Sequence, residues 1–123
     1  MNINERCLAL PVIHSQKVEW SKGENKNNII TLPFPIYSDE VDAWIKAFYS
    51  LEIADKDYIN NSKKIAHKDI SELTRDETLT RITAVIRAER FCDGTIAEAL
   101  ENGLLEKQCL HLHETADRSS NNI

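Results

Sequence analysis

Four charged side chains at the end of an apolar run are the first place to look for chemistry. Arg87, Glu89, Arg90 and Asp93 lie in the segment RAERFCDG, just after the apolar positions Leu79, Ile82, Val85 and Ile86. At about 100° per residue, a helix carries Glu89, Arg90 and Asp93 onto the same stripe as those apolar residues. Acid and base are then expected to face the interior, where an unpaired charge costs several kcal/mol. Two arrangements satisfy that requirement. In the structural one, Arg90 binds Asp93 or a backbone carbonyl, and Glu89 accepts N–H groups from the N-terminus of a neighbouring helix. In the functional one, Arg87 or Arg90 holds an anion in a polar pocket and Glu89 acts as base or acceptor, as a small-molecule binder or hydrolase-type enzyme would need. Networks of this kind often serve fold specificity alone, and no residue is assigned a catalytic role.

Two further constellations are weaker. Cys109 and His113 are spaced i, i+4 and share a helical face, which would supply two zinc ligands. His111 points elsewhere, and His67 or Cys92 would have to complete the set from distant chain. A packed Cys109 with exposed histidines is the simpler reading, so no metal and no cofactor are expected. Cys92 with Asp93 and a remote His14 or His67 offers a nucleophile and base, but no recognised spacing joins them.

Composition narrows the function classes. The chain has 123 residues, the length of a usual domain. Its 15 basic and 20 acidic residues give a net charge of -5. That argues against nucleic acid and anionic membrane as partners, and allows a basic protein partner. No apolar run reaches the roughly 18 residues of a membrane span, and no signal peptide is visible. Cys7, Cys92 and Cys109 are odd in number and far apart, which fits reduced thiols in the cytoplasm.

The elements that must position these residues follow from periodicity and punctuation. A short helix over 3–10 is closed by Pro11. Residues 12–20 and 29–34 read as strands of a β-hairpin around the polar turn Ser21 to Asn28. The LPFP stretch is expected to cover the core rather than to serve as a polyproline ligand. Ser38 caps a helix to about Ser50, with Val41, Trp44, Ile45 and Phe48 inward. Residues 55–64 and 67–73 suggest two short helices, placing Tyr58, Ile59, Ile70 and Leu73 inward. Thr74 and Glu77 form a capping box for a central helix that runs to Cys92, with Gly94 as its left-handed stop. Thr95 and Glu98 repeat the box for a short helix ended by Gly103. A last helix covers 104–113. The expected fold is α+β and mostly helical, an N-terminal β-hairpin packed on a bundle of about five helices. Residues 1–113 form the domain and 114–123 a flexible tail. Phe91 falls on the far side of the central helix and needs a second packing partner, either the next helix or another subunit.

The segment around RAERFCDG resembles a bacterial and phage family known only as a domain of unknown function. Its Arg-x-Glu-Arg-Phe-x-Asp-Gly signature matches Arg87, Glu89, Arg90, Phe91, Asp93 and Gly94, and LPFPIYSDEVDAWIKAFY is similar to its proline/aromatic segment. The similarity spans roughly residues 29 to 112. It implies a shared fold, and suggests an accessory protein of phage or mobile-element type. Together with the acidic balance, this leads to an expected role as a non-catalytic interaction protein, of an immunity or anti-defence kind. Its partner would be another protein, and a homo-oligomer is a further option.

Overall fold

The computed structural model describes residues 1–121, with side chains through residue 118. Among them are six α-helices and two short two-stranded antiparallel ladders, so the fold is α+β and mostly helical. Helix α1, Ile3–Ala9, is capped by Asn2, whose side chain accepts from Glu5 N at 2.8 Å. Helix α2, Asp39–Ser50, begins at the expected Ser38 cap and buries Val41, Trp44 and Phe48. Helix α3 is Tyr58–Ile65, and a 3-10 turn covers Ile70–Glu72. Helix α4 is Arg75–Ala88, α5 is Thr95–Glu101 and α6 is Leu104–Asn121.

The core is built on α6. It packs against α1, α4, α5 and the 3-10 turn, while α3 lies on α4. Leu105, Cys109, Leu112 and Ala116 of α6 meet Cys7 and Leu10, Trp44 and Phe48, and Leu79, Ile82 and Ile86 in one cluster. Side chains also fasten backbone ends that no helix serves. Trp44 Nε1 donates to Pro11 O at 2.9 Å, His111 Nε2 to Leu73 O at 2.8 Å and His113 Nε2 to Leu10 O at 2.6 Å. Arg81 Nη2 donates to both Ile65 O and Lys68 O at the end of α3. Orphan carbonyls at chain turns are thereby satisfied.

Several boundaries differ from the periodicity. The hairpin forms, but its turn is only Asn27–Asn28. Both residues take positive φ, 53° and 63°, as a two-residue turn between twisted strands requires. Strand β2, Glu24–Lys26, pairs with β3, Ile29–Thr31, in the register Glu24↔Thr31. A second ladder joins β1, Glu19–Trp20, to β4, Pro35–Ile36. Residues 12–18 are not a strand, because His14, Ser15 and Val18 spend backbone or side-chain bonds on Glu106 and Glu101 of the helices instead. Every residue of β2 and β3 is exposed. Trp20, Leu32 and Phe34 are exposed too, so the LPFP stretch does not cover the core. Ile59 also turns outward, on the solvent side of α3. At the other end, α6 continues through 114–121, with Thr115 and Ala116 buried, where the composition suggests a tail. An apolar stripe does persist there, but Thr and Ala are weak hydrophobic signals. Residues 122–123 of that expected tail lie outside the described residues.

Candidate functional site

The C-terminal end of α4 carries the sequence's candidate cluster. Helix α4 stops at Ala88, four residues before the expected Cys92, and a turn leads to Gly94 at φ 97°. Because the helix ends, the stripe does not continue past Glu89. Glu89 is half-buried and fully engaged. Its Oε2 accepts from Gly94 N at 2.9 Å, and its Oε1 from Ile96 N at 2.9 Å and Tyr37 Oη at 2.9 Å. Tyr37 Oη in turn accepts from Ala97 N at 3.1 Å. Glu89 and Tyr37 together thus cap α5 from outside it, meeting its free N–H groups with a full negative charge. The expected capping box at Thr95 and Glu98 is absent. Gly94 is the N-cap, Thr95 Oγ1 donates back to Cys92 O, and Glu98 is exposed. Burial, and next the Glu89 carboxylate, push the Tyr37 phenol well above its usual range.

The remaining members of the cluster do not converge on Glu89. Arg90 and Asp93 are exposed, contrary to the interior position expected for them, and Arg87 is half-buried. None of the three forms an ion pair among the described residues. Phe91 is 86% exposed, with neither α5 nor any other described element as its packing partner. Gly94 is required on two grounds. Its φ is left-handed, and a Cβ there would lie 2.5 Å from the Trp20 ring. Trp20 and this turn border a shallow groove of about 600 Å³, with Cys92, Asp93, Glu98 and Glu101 on its sides.

The cysteine and histidine candidates are scattered. Cys7 and Cys109 are packed, and burial pushes both thiols up to about 11. His111 is buried rather than exposed, held by Leu73 O, and His113 is held by Leu10 O. Cys92 is exposed and hydrogen-bonds to neither His14 nor His67 among the described residues. No group of three or more His, Cys, Asp or Glu able to hold a metal ion occurs among the described residues.

The opposite end of α4 holds a cleft that periodicity did not point to. Thr74 and Glu77 complete both halves of the capping box, and Lys68 Nζ binds Glu77 Oε2 at 2.8 Å. Beside it, Asp55 collects three donors: Thr80 Oγ1 at 2.6 Å, Asn61 Nδ2 at 2.9 Å and Asp57 N at 2.9 Å. Thr83 Oγ1 accepts from Asp55 N at 3.0 Å. These groups border a cleft of about 450 Å³ floored by Ile3, Ile53, Ala54, Ile65 and Leu79. Glu52, on its rim, takes φ 55°, a left-handed conformation that a non-glycine residue adopts only at a cost of about 1 kcal/mol or more. The sequence did contain a signal. Thr78, Thr80 and Thr83 lie on buried positions of α4, and a buried hydroxyl demands a partner.

A third feature is the apolar surface of the hairpin arm, residues 21–36. Ile29, Ile30 and Leu32 are 69%, 71% and 75% exposed, and Phe34 and Ile36 about half. No helix among the described residues is long and apolar enough to cross a membrane.

No curated protein and no solved structure matches the chain significantly. The model of a family of unknown function, DUF6508, matches residues 7–118, which takes in the arm, both ends of α4 and nearly all of the helical core. The chain therefore belongs to the DUF6508 family.

Proposed function

We propose that this protein is a non-catalytic binding protein whose arm, residues 21–36, docks on a protein partner. The observation that carries the reading is the run Ile29, Ile30, Leu32 and Phe34, left in water on a two-stranded ladder. A lone hairpin of this size is marginal in water, and an apolar surface of this kind marks an interaction site more often than chance. Each strand of the ladder has a free edge. The partner chemistry that fits is a strand edge flanked by apolar side chains, joined by main-chain hydrogen bonds. Phe91, three residues before the Gly94 turn on which Trp20 rests, is a further exposed apolar side chain. A catalytic reading of Arg87, Glu89, Arg90 and Asp93 has less support. Arg90 and Asp93 stand apart in solvent, and none of Arg87, Arg90 and Asp93 pairs with Glu89 among the described residues.

The test compares the parent with an Ile30→Ser/Leu32→Ser variant. Both side chains are exposed, so the fold and melting temperature should be unchanged. Cross-linked capture should recover the same protein repeatedly with the parent and lose it with the variant. Equal capture by both, or flotation of the parent with phospholipid vesicles in place of protein capture, overturns the reading. Light scattering on the pure parent identifies the case in which the partner is a second copy.

A further inference from the structure

The cleft at the N-terminal end of α4 has a charge imbalance that its own neighbours do not settle. Of the acids around it, Glu77 is paired with Lys68 at 2.8 Å and Asp76 with Arg75 at 3.0 Å. Asp55 has no cationic partner among the described residues, and all three of its donors are neutral: a hydroxyl, an amide and a backbone N–H. Burial pushes its carboxyl up, but those three hydrogen bonds together outweigh it and hold the group below the usual carboxylate range. Asp55 is therefore an ionised carboxylate, half-buried, fixed in orientation and lacking a countercharge. The hydrogen bonds anchor the loop after α2 on α4, yet they leave a hollow of about 450 Å³ open beside it. That size falls within the range of small-molecule sites, about 300–1,000 Å³. Its floor is aliphatic, from Ile3, Ile53, Ala54, Ile65 and Leu79. A floor of that kind favours a ligand with an apolar body, while a fixed carboxylate favours a positive head.

We propose that this cleft binds an organic cation, a protonated amine or guanidinium on an aliphatic or aromatic body, with Asp55 facing the charge and the aliphatic floor holding the body. Glu52 adds a second negative charge at the rim, and Lys64 is the one basic residue among the described residues that borders the cleft. The cation is either a free amine or the Lys or Arg side chain of a peptide. The site shares no residue with the arm, so it stands or falls independently of the partner-docking reading.

The probes are n-hexylamine and agmatine as free amines, and a blocked lysine tripeptide as the side-chain source, in an amine-free phosphate buffer. Hexanol and hexanoate carry the same body without the positive charge. Backbone amide shifts in α3 and α4 report occupancy. Saturable shifts with an amine or with the tripeptide, and much weaker ones with hexanol and hexanoate, are expected. Lys64→Glu, a surface change that spares the fold, should tighten the cation about fivefold through two units of added negative charge nearby. Ala54→Phe fills the hollow and should abolish binding, and Asp55→Asn should weaken it about tenfold or more. Should Asp55→Asn fail to fold, Lys64→Glu and Ala54→Phe still decide. Binding by free amines but not the tripeptide assigns a metabolite, and the reverse assigns a peptide. Absence of saturable shifts with all three cations overturns the proposal, as does equal binding of hexanol, or an amine affinity unmoved by Lys64→Glu.

Discussion

Both ends of α4 hold a carboxylate that collects hydrogen bonds from neutral donors, but the two are put to different use. At the C-terminal end, Glu89 accepts two backbone N–H groups and the Tyr37 hydroxyl and closes over the start of α5. At the N-terminal end, Asp55 accepts from Thr80, Asn61 and Asp57 and borders an open cleft. The first carboxylate has its charge answered by the free N–H groups of a helix start. The second accepts one backbone N–H, that of Asp57 at the start of α3, and two side-chain donors, and it borders open space. A charged residue in a half-buried place is thus not itself a site. What distinguishes the second carboxylate is the open cleft beside it.

The comparison breaks most easily at Glu89. Glu89→Ala leaves two helix N–H groups and a phenol without their acceptor and is expected to cost about 2–4 kcal/mol. Urea titration followed by far-ultraviolet dichroism measures it, and a loss below about 0.5 kcal/mol would show that α5 needs no such cap. Gly94→Ala comes next. Left-handed φ and the Trp20 ring together should cost about 1–3 kcal/mol, read by the same titration. At the other end, Thr80→Val removes one donor from Asp55 and should cost about 1–2 kcal/mol.

The two ends should also separate on the pH axis. Asp55 is held low as described, and Glu77 is held low first by Lys68 and then by the Thr74 backbone N–H. Both folded values lie below the unfolded ones, so their contribution is present above about pH 4 and is lost as pH falls through the folded values. Tyr37 is raised by burial and Glu89, so its contribution is full below about pH 10 and is lost as pH climbs past that value. Cys7 and Cys109, raised to about 11 by burial, add to the alkaline loss from about pH 9. Melting temperatures from pH 3 to 11 should therefore show Thr80→Val altering the acid limb and Tyr37→Phe altering the alkaline one. The smallest effects belong to Arg90→Ala, Asp93→Ala and Phe91→Ser. Each should stay within about 0.5 kcal/mol, because these side chains stand in water. A larger loss at Arg90 would restore the clustered arrangement.

Helix periodicity was a good guide along α2 and the first turns of α4, though not at Ile59 of α3. The Ser38 cap, the Thr74–Glu77 box, the Val41/Trp44/Phe48 stripe and the left-handed φ of Gly94 and Gly103 were legible, although Gly94 starts α5 rather than ending α4. So was a Glu89 carboxylate turned to a neighbouring helix start. Extending the stripe to Arg90 and Asp93 failed because periodicity carries no information on where a helix stops. Here the backbone leaves the helix at Glu89 to bring that carboxylate to α5. The strand assignment at 12–18 failed for a related reason: alternating side chains were read as pairing, but those residues bond to helix side chains. The cleft was hidden because it is made by α1, α3, α4 and the loop after α2 together, and only the buried threonines of α4 hinted at it.

The packing of Trp20 against Gly94 has a practical consequence. The chain's two tryptophans occupy opposite settings: Trp44 is 3% exposed in the core, and Trp20 is 45% exposed where the arm meets the turn. Their fluorescence should differ accordingly, blue-shifted and sheltered for the first, red-shifted and open to iodide for the second. Movement of the arm can then be followed by quenching in the native protein, without a label, while the core indole serves as an internal reference.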